Sequence, residues 1–246
     1  MRASVLSHVG RLVCASALVL PTLVLLPAVA EAAGARAPTT SSVLTAAKSA
    51  IGKQTSVHLV VVSRTGTPLV EENLQGDLGK TSGTETVSEG SETVMIKVTP
   101  TYGYLSGDSS GLTKIFGLTS AEAKRVGRDW ISVKAGTSQY KDLAASTTVS
   151  SVASILPPAT GTHLDTPART AKRLYTLTWG TAASSSQPAF ANTLTLSAVG
   201  TTLPVQETTT AVGGDKETVA LSKWGERLVV STPPAGSIIP LSKVTG

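Results

Sequence analysis

The chain has 246 residues, a formal net charge of +5 and 41% hydrophobic residues, with one cysteine and three histidines. That length supports one sizeable core or one large β domain, and a lone cysteine excludes an internal disulfide framework. The basic residues are scattered, Lys124-Arg125 and Lys172-Arg173 being the longest runs, which excludes the concentrated basic face that nucleic acid requires.

The N-terminus reads as an export signal. Arg2 and Arg11 supply a positive start, no charge follows from Leu12 to Ala30, and Ala28-Val29-Ala30 and Ala30-Glu31-Ala32 offer the small-residue spacing of a signal peptidase site. Pro21 and Pro27 interrupt the apolar run, and proline kinks a spanning helix, so cleavage is favoured over an uncleaved anchor. Cys14 follows Val13, with Arg11 three residues before it; a lipobox needs a small residue and an apolar one at those places, so Cys14 is expected to be discarded unlipidated. The domains expected are a signal peptide or anchor at 1–32, a polar lead-in at 33–42 and a folded domain at 43–246.

Ser41 or Ser42 is a candidate cap for a helix presenting Val43, Leu44, Ala47 and Ile51 on one face and ending at Gly52. The period then changes to two. Val57–Ser63, Glu92–Thr99, Lys172–Trp179 and Asn192–Val199 alternate β-branched and polar residues, and Thr201–Thr210, Lys216–Leu221 and Arg227–Ser231 continue the series. Between the two groups lie helical stretches at Gly111–Gly117, from Thr119-Ser120-Ala121-Glu122, at Ser138–Ala145 and at Val149–Leu156, with Trp130–Val133 as a strand among them. Strands in runs with segregated helices define an α+β domain.

Several stretches resemble the LppX/LprAFG-type envelope proteins of actinobacteria, which share the half-barrel of the LolA and LolB lipoprotein carriers. They are "SVLTAAKSA" leading into "SVHLVVVS", the hairpin "ETVMIKVTPTYGYLSGD", "GRDWISVKAG", "SSVASILPP" and "LSKWGERLVVSTPPAGSII", between Ser41 and Ile239. The resemblance implies a strongly curved antiparallel β half-barrel, with helices covering the concave face over an apolar cavity for acyl chains or a glycolipid. Lipid-anchored relatives carry a lipobox, and this sequence does not.

On that basis Val94, Ile96, Val98 and Leu177 are expected to line the sheet side of the cavity, and Phe116, Leu118, Ile155 and Leu156 the helix side. The residues alone favour an ordinary packed core, and it is the resemblance that brings the cavity reading level with it. "GDSSG" at Gly107–Gly111 is similar to the nucleophile motif of chymotrypsin-like proteases, but Ser110 replaces a glycine and His58 and His163 stand in no matching setting. His163 with Asp165 makes too small a set for a metal, Glu71-Glu72 and Glu85 with Glu89 read as charges at hairpin edges, and no phosphate-binding glycine motif is present. The sequence therefore predicts a non-enzyme without cofactor, metal or catalytic residue. Its expected function is that of an extracytoplasmic, secreted or envelope-associated binding or carrier protein for an apolar lipid or glycolipid, a role compatible with membrane contact and with an envelope protein partner. The alternative is a structural or regulatory protein-interaction domain on the same fold with a filled core.

Overall fold

The computed structural model describes residues 37–165, 173–182 and 189–245; the expected export segment with Cys14 lies outside them. The first helix, α1 (Thr40–Lys53), begins earlier than the sequence suggests, so the last three residues of the expected lead-in are helical. Thr39 is its cap, accepting from the Ser42 amide, while the Ser42 hydroxyl oxygen accepts from the Thr39 amide at 2.9 Å. Ser42 thus serves as the reciprocal member of a capping box, not as the cap itself.

Five strands follow in hairpin succession: β1 (Ser56–Thr65), β2 (Val70–Gly79), β3 (Gly83–Glu89), β4 (Glu92–Val98) and β5 (Tyr102–Gly107). Next come α2 (Ser109–Lys114), α3 (Ser120–Val126), β6 (Trp130–Lys134), α4 (Ser138–Ser146) and a 3-10 segment (Val149–Ile155). A second meander contains β7 (His163–Asp165), β8 (Leu174–Thr181), β9 (Phe190–Ser197), β10 (Pro204–Ala211) and β11 (Lys216–Ser222). The chain closes with β12 (Ile238–Pro240) and α5 (Leu241–Val244).

The twelve strands of the described residues form one open sheet in the order β12-β6-β5-β4-β3-β2-β1-β11-β10-β9-β8-β7. Neighbours are antiparallel except β12, which lies parallel on β6. The two meanders meet where β1 pairs with β11, from His58 opposite Ser222 to Arg64 opposite Lys216. The fold is the expected α+β half-barrel: an open, curved sheet with its apolar face under the helices.

Two expectations about elements change. Val149–Ile155 is 3-10 rather than α-helical, and Arg227–Ser231 forms no strand. Its alternation suits one, but β11 is already paired on both sides by β1 and β10, so the segment following β11 has no edge there to join.

Candidate functional site

Residues directly opposite in an antiparallel sheet share a face, so the register defines rows that run across the concave side. One row reads Leu177, Leu194, Glu207, Val219, Val61, Leu74, Val87 and Val94, from β8 to β4. A second reads Leu221, Leu59, Gly76, Glu85, Ile96, Leu105, Ile131 and Ile239, from β11 to β12. A third runs Val57, Leu78, Gly83, Val98, Gly103 and Val133. Outside the first row lies a polar rim of Asn192, Thr209, Glu217, Ser63, Glu72, Glu89 and Glu92. The Lys114 ammonium bridges the last two carboxylates at 3.1 and 3.6 Å.

The helices complete this face as two packed clusters. Val43, Leu44 and Ala47 of α1 and Val149, Val152 and Ile155 of the 3-10 segment pack on the rows from β8 to β3. Leu112, Leu118, Ala123, Val126 and Leu143 pack on β4, β5 and β6. Ile115 touches both clusters.

The eight side chains expected from sequence divide between the two. Val94, Ile96, Val98, Leu118 and the half-buried Phe116 belong to the cluster on β4 to β6, whereas Leu177, Ile155 and the half-buried Leu156 belong to the other. Six of them are at most 8% exposed, so sheet and helices are in close contact at these positions. An open cleft of ≈ 530 Å³ lies elsewhere, between Thr93, Met95, Ser106, Asp108 and Arg128.

Two carboxyls interrupt the apolar rows. Glu85 is 2% exposed, between Gly76 and Ile96, and accepts a hydrogen bond from the Ser146 hydroxyl at 3.0 Å. A Cβ on Gly76 would lie 2.9 Å from the Glu85 Cγ, so glycine there makes the space. Burial pushes the Glu85 carboxyl up to about 7, partly offset by Ser146. Glu85 is therefore a buried residue, not the hairpin-edge charge that the sequence suggests; Glu71, exposed and paired with Arg64 at 2.9 Å, fits that description. Glu207 is 7% exposed, and its Oε2 is buried and accepts no hydrogen bond. Burial, then the nearby Glu217, pushes it up to about 7.

Sequence alternation carried part of this signal. Glu85 has the same parity as Val87, which marks the inner face of β3. At β10 the alternation misleads, because a bulge between Pro204 and Gln206 shifts the register and turns Val205 outward, 39% exposed.

The residues weighed for catalysis are apart. His58 Nδ1 contacts Asp77 at 2.8 Å, and His163 Nε2 contacts Asp165 at 3.0 Å. The Ser110 hydroxyl donates to Glu92 at 3.4 Å. Amides of Gly111 and Thr93 donate to Asp108 and hold its carboxyl below the usual range. Among the described residues no group of three His, Cys, Asp or Glu side chains converges on a metal position, and no helix is long and apolar enough to cross a membrane. Trp179 and Trp224 pack against the β8–β3 cluster, and Trp130 lies under the Lys97 ammonium, 4.9 Å from its ring centre.

The fold and site together define an open β half-barrel with an apolar concave face, a helical cover and an acidic rim. LprF from Mycobacterium bovis is similar to this chain in structure, with 12% identity, a TM-score of 0.49, and coverage of 79% of this chain and 96% of that one. The Mycobacterium tuberculosis lipoprotein LppX is similar with 16% identity, a TM-score of 0.45, and coverage of 78% and 98%. Both names belong to the family that the sequence resembles. No protein-family model matches the chain, and no curated protein sequence matches it significantly.

Proposed function

We propose that this is an exported, non-catalytic binding or carrier protein for an apolar lipid or glycolipid, taken up between the concave sheet and its helical cover. The observation that carries the proposal is the pair of apolar clusters meeting at Ile115 under a cover made of short, separately capped pieces. Polar ties between cover and sheet include the Tyr140 hydroxyl on the Thr99 carbonyl at 2.7 Å, Ser146 on Glu85, and Lys114 between Glu89 and Glu92. Parting such a cover exposes apolar surface that an acyl chain covers again, and each buried methylene returns ~0.8 kcal/mol. Val94, Ile96, Val98 and Leu177 form the sheet side of the site and Phe116, Leu118, Ile155 and Leu156 the helix side. The basic start and Ala-x-Ala spacing support extracytoplasmic placement without lipidation.

The close packing of six of these eight side chains favours a second reading, a protein-interaction domain with a filled core. Titration with a fluorescent fatty acid separates the two. The lipid reading expects saturable binding, which Val98→Trp blocks in a protein that still unfolds cooperatively. Absence of saturable binding by the wild type, with a strongly destabilised variant, establishes the filled-core reading instead.

A further inference from the structure

The polar rim and the carboxyl just inside it identify where a ligand's polar end goes. Glu207 faces Leu194 on β9 and Val219 on β11, the one polar side chain among eight in its row. Thr209 pairs directly with Glu217 and Glu207 with Val219, so the two glutamates are diagonal neighbours on one face, roughly 7–8 Å apart along the backbone. Glu217 accepts from the Ser63 hydroxyl at 2.9 Å, and the Thr209 hydroxyl donates to Asn192 at 2.9 Å. Glu207 Oε2 has no such partner, although it is buried. Buried polar atoms in folded proteins are nearly always hydrogen-bonded, and an orphan points to a group that completes it.

We infer that Glu207 and Glu217, with Ser63 and Thr209 beside them, form a subsite for a neutral polyhydroxyl head group on the apolar ligand. This rests on the lipid-binding reading and specifies its head-group chemistry. A hydroxyl donates to the free Oε2 when the carboxyl is ionised and accepts from it when the carboxyl is protonated, since Ser63 and Thr209 already give their protons to Glu217 and Asn192. An ammonium serves only the ionised carboxyl, because it donates without accepting. A phosphate brings like charge against two glutamates and no donor for Oε2 unless it is protonated. Burial raises the Glu207 carboxyl to about 7, which weakens its pull on a cation near neutrality and suits an uncharged partner. A metal is the poorer occupant, because no three ligating side chains converge among the described residues.

Three amphiphiles with the same dodecyl tail test this below their micelle concentrations: dodecyl maltoside, dodecyl phosphate and dodecylammonium, titrated by calorimetry into wild type, Glu207→Leu and Glu207→Gln. Wild type should bind the maltoside about ten-fold tighter than the other two, as expected for losing a hydrogen bond to a charged or buried group. Glu207→Leu should abolish that preference while keeping dodecyl phosphate binding, and Glu207→Gln, still an acceptor, should retain most of it. Equal binding of all three heads by wild type, tighter binding of the ammonium, or an unchanged preference in Glu207→Leu overturns the subsite and leaves the lipid reading standing. Failure of every amphiphile to bind overturns the lipid reading, and the subsite with it.

Discussion

Glu85 and Glu207 occupy similar places in two parts of the concave face, one between Gly76 and Ile96, the other between Leu194 and Val219. Glu85 has been fitted: glycine makes room for it, and the end of α4 supplies the Ser146 hydroxyl. The approach is close enough that a Cβ on neighbouring Gly83 would collide with the Thr147 carbonyl. Glu207 keeps an unpartnered oxygen and a like charge nearby. A buried acid that is satisfied within the fold acts as a fastener, whereas one left incomplete is free to complete itself with something else. The difference lies in their hydrogen-bond partners, since both are deeply buried.

The largest expected effect is on pH dependence, which the two share. Both carboxyls are raised from 4.5 to about 7, so the folded chain holds their protons more tightly than the unfolded chain does. Their favourable contribution is complete below the unfolded value and is lost as pH rises through about 7, up to ~3 kcal/mol for each. Glu217 is raised as well and adds the same sign. Asp108 is lowered; its contribution is lost only on acidification below the ordinary carboxylate range. Urea unfolding should therefore give a higher midpoint near pH 5 than near pH 8 (both approximate), and Glu85→Gln with Glu207→Gln should remove most of that difference. A wild-type midpoint that does not fall between those pH values contradicts the assignment.

Separating the two carboxyls gives the next effect. Ser146→Ala removes the donor to Glu85 and should cost about 1–3 kcal/mol, measured by urea unfolding near neutrality. Glu207→Leu should leave stability unchanged or raise it, because it removes an orphan acceptor from an apolar row. Destabilisation by both variants to the same extent would mean that Glu207 is also satisfied within the fold.

The smallest effect concerns the helical cover. Thr39→Ala and Thr119→Ala each break a capping box and should cost about 1 kcal/mol. The seven residues of α3 have fewer internal hydrogen bonds to fall back on than the fourteen of α1. Amide exchange should therefore rise further along α3 in Thr119→Ala than along α1 in Thr39→Ala. Equal responses would show that packing on the sheet, not capping, holds both helices.

The half-barrel was legible because alternation in Val57–Ser63, Glu92–Thr99 and Asn192–Val199 survives into the strands with its faces intact. Thr119 and Glu122 also identified the start of α3 correctly. Composition concealed β2 and β3: "VEENLQGDLG" and "GTETVSE" are too polar and glycine-rich to read as central strands. Their glycines serve close approaches that only the assembled sheet reveals. The rows across the concave face depend on register between strands distant in sequence, such as Val61 opposite Val219, and no local pattern encodes that pairing. Val94 and Leu177 could thus be assigned to the inner face without any sign that they fall in different clusters.

The parallel seating of β12 on β6 has a consequence for solubility. An open sheet presents two edges, and a long, flat edge is a template on which another chain can add a strand. Among the described residues both outermost strands are three residues long. One carries His163 and Asp165, exposed and bonded to each other. The other ends in Pro240, which has no amide to donate, and turns at once into α5. Among the described residues the half-barrel thus ends on short edge strands that offer a second copy little ladder to extend.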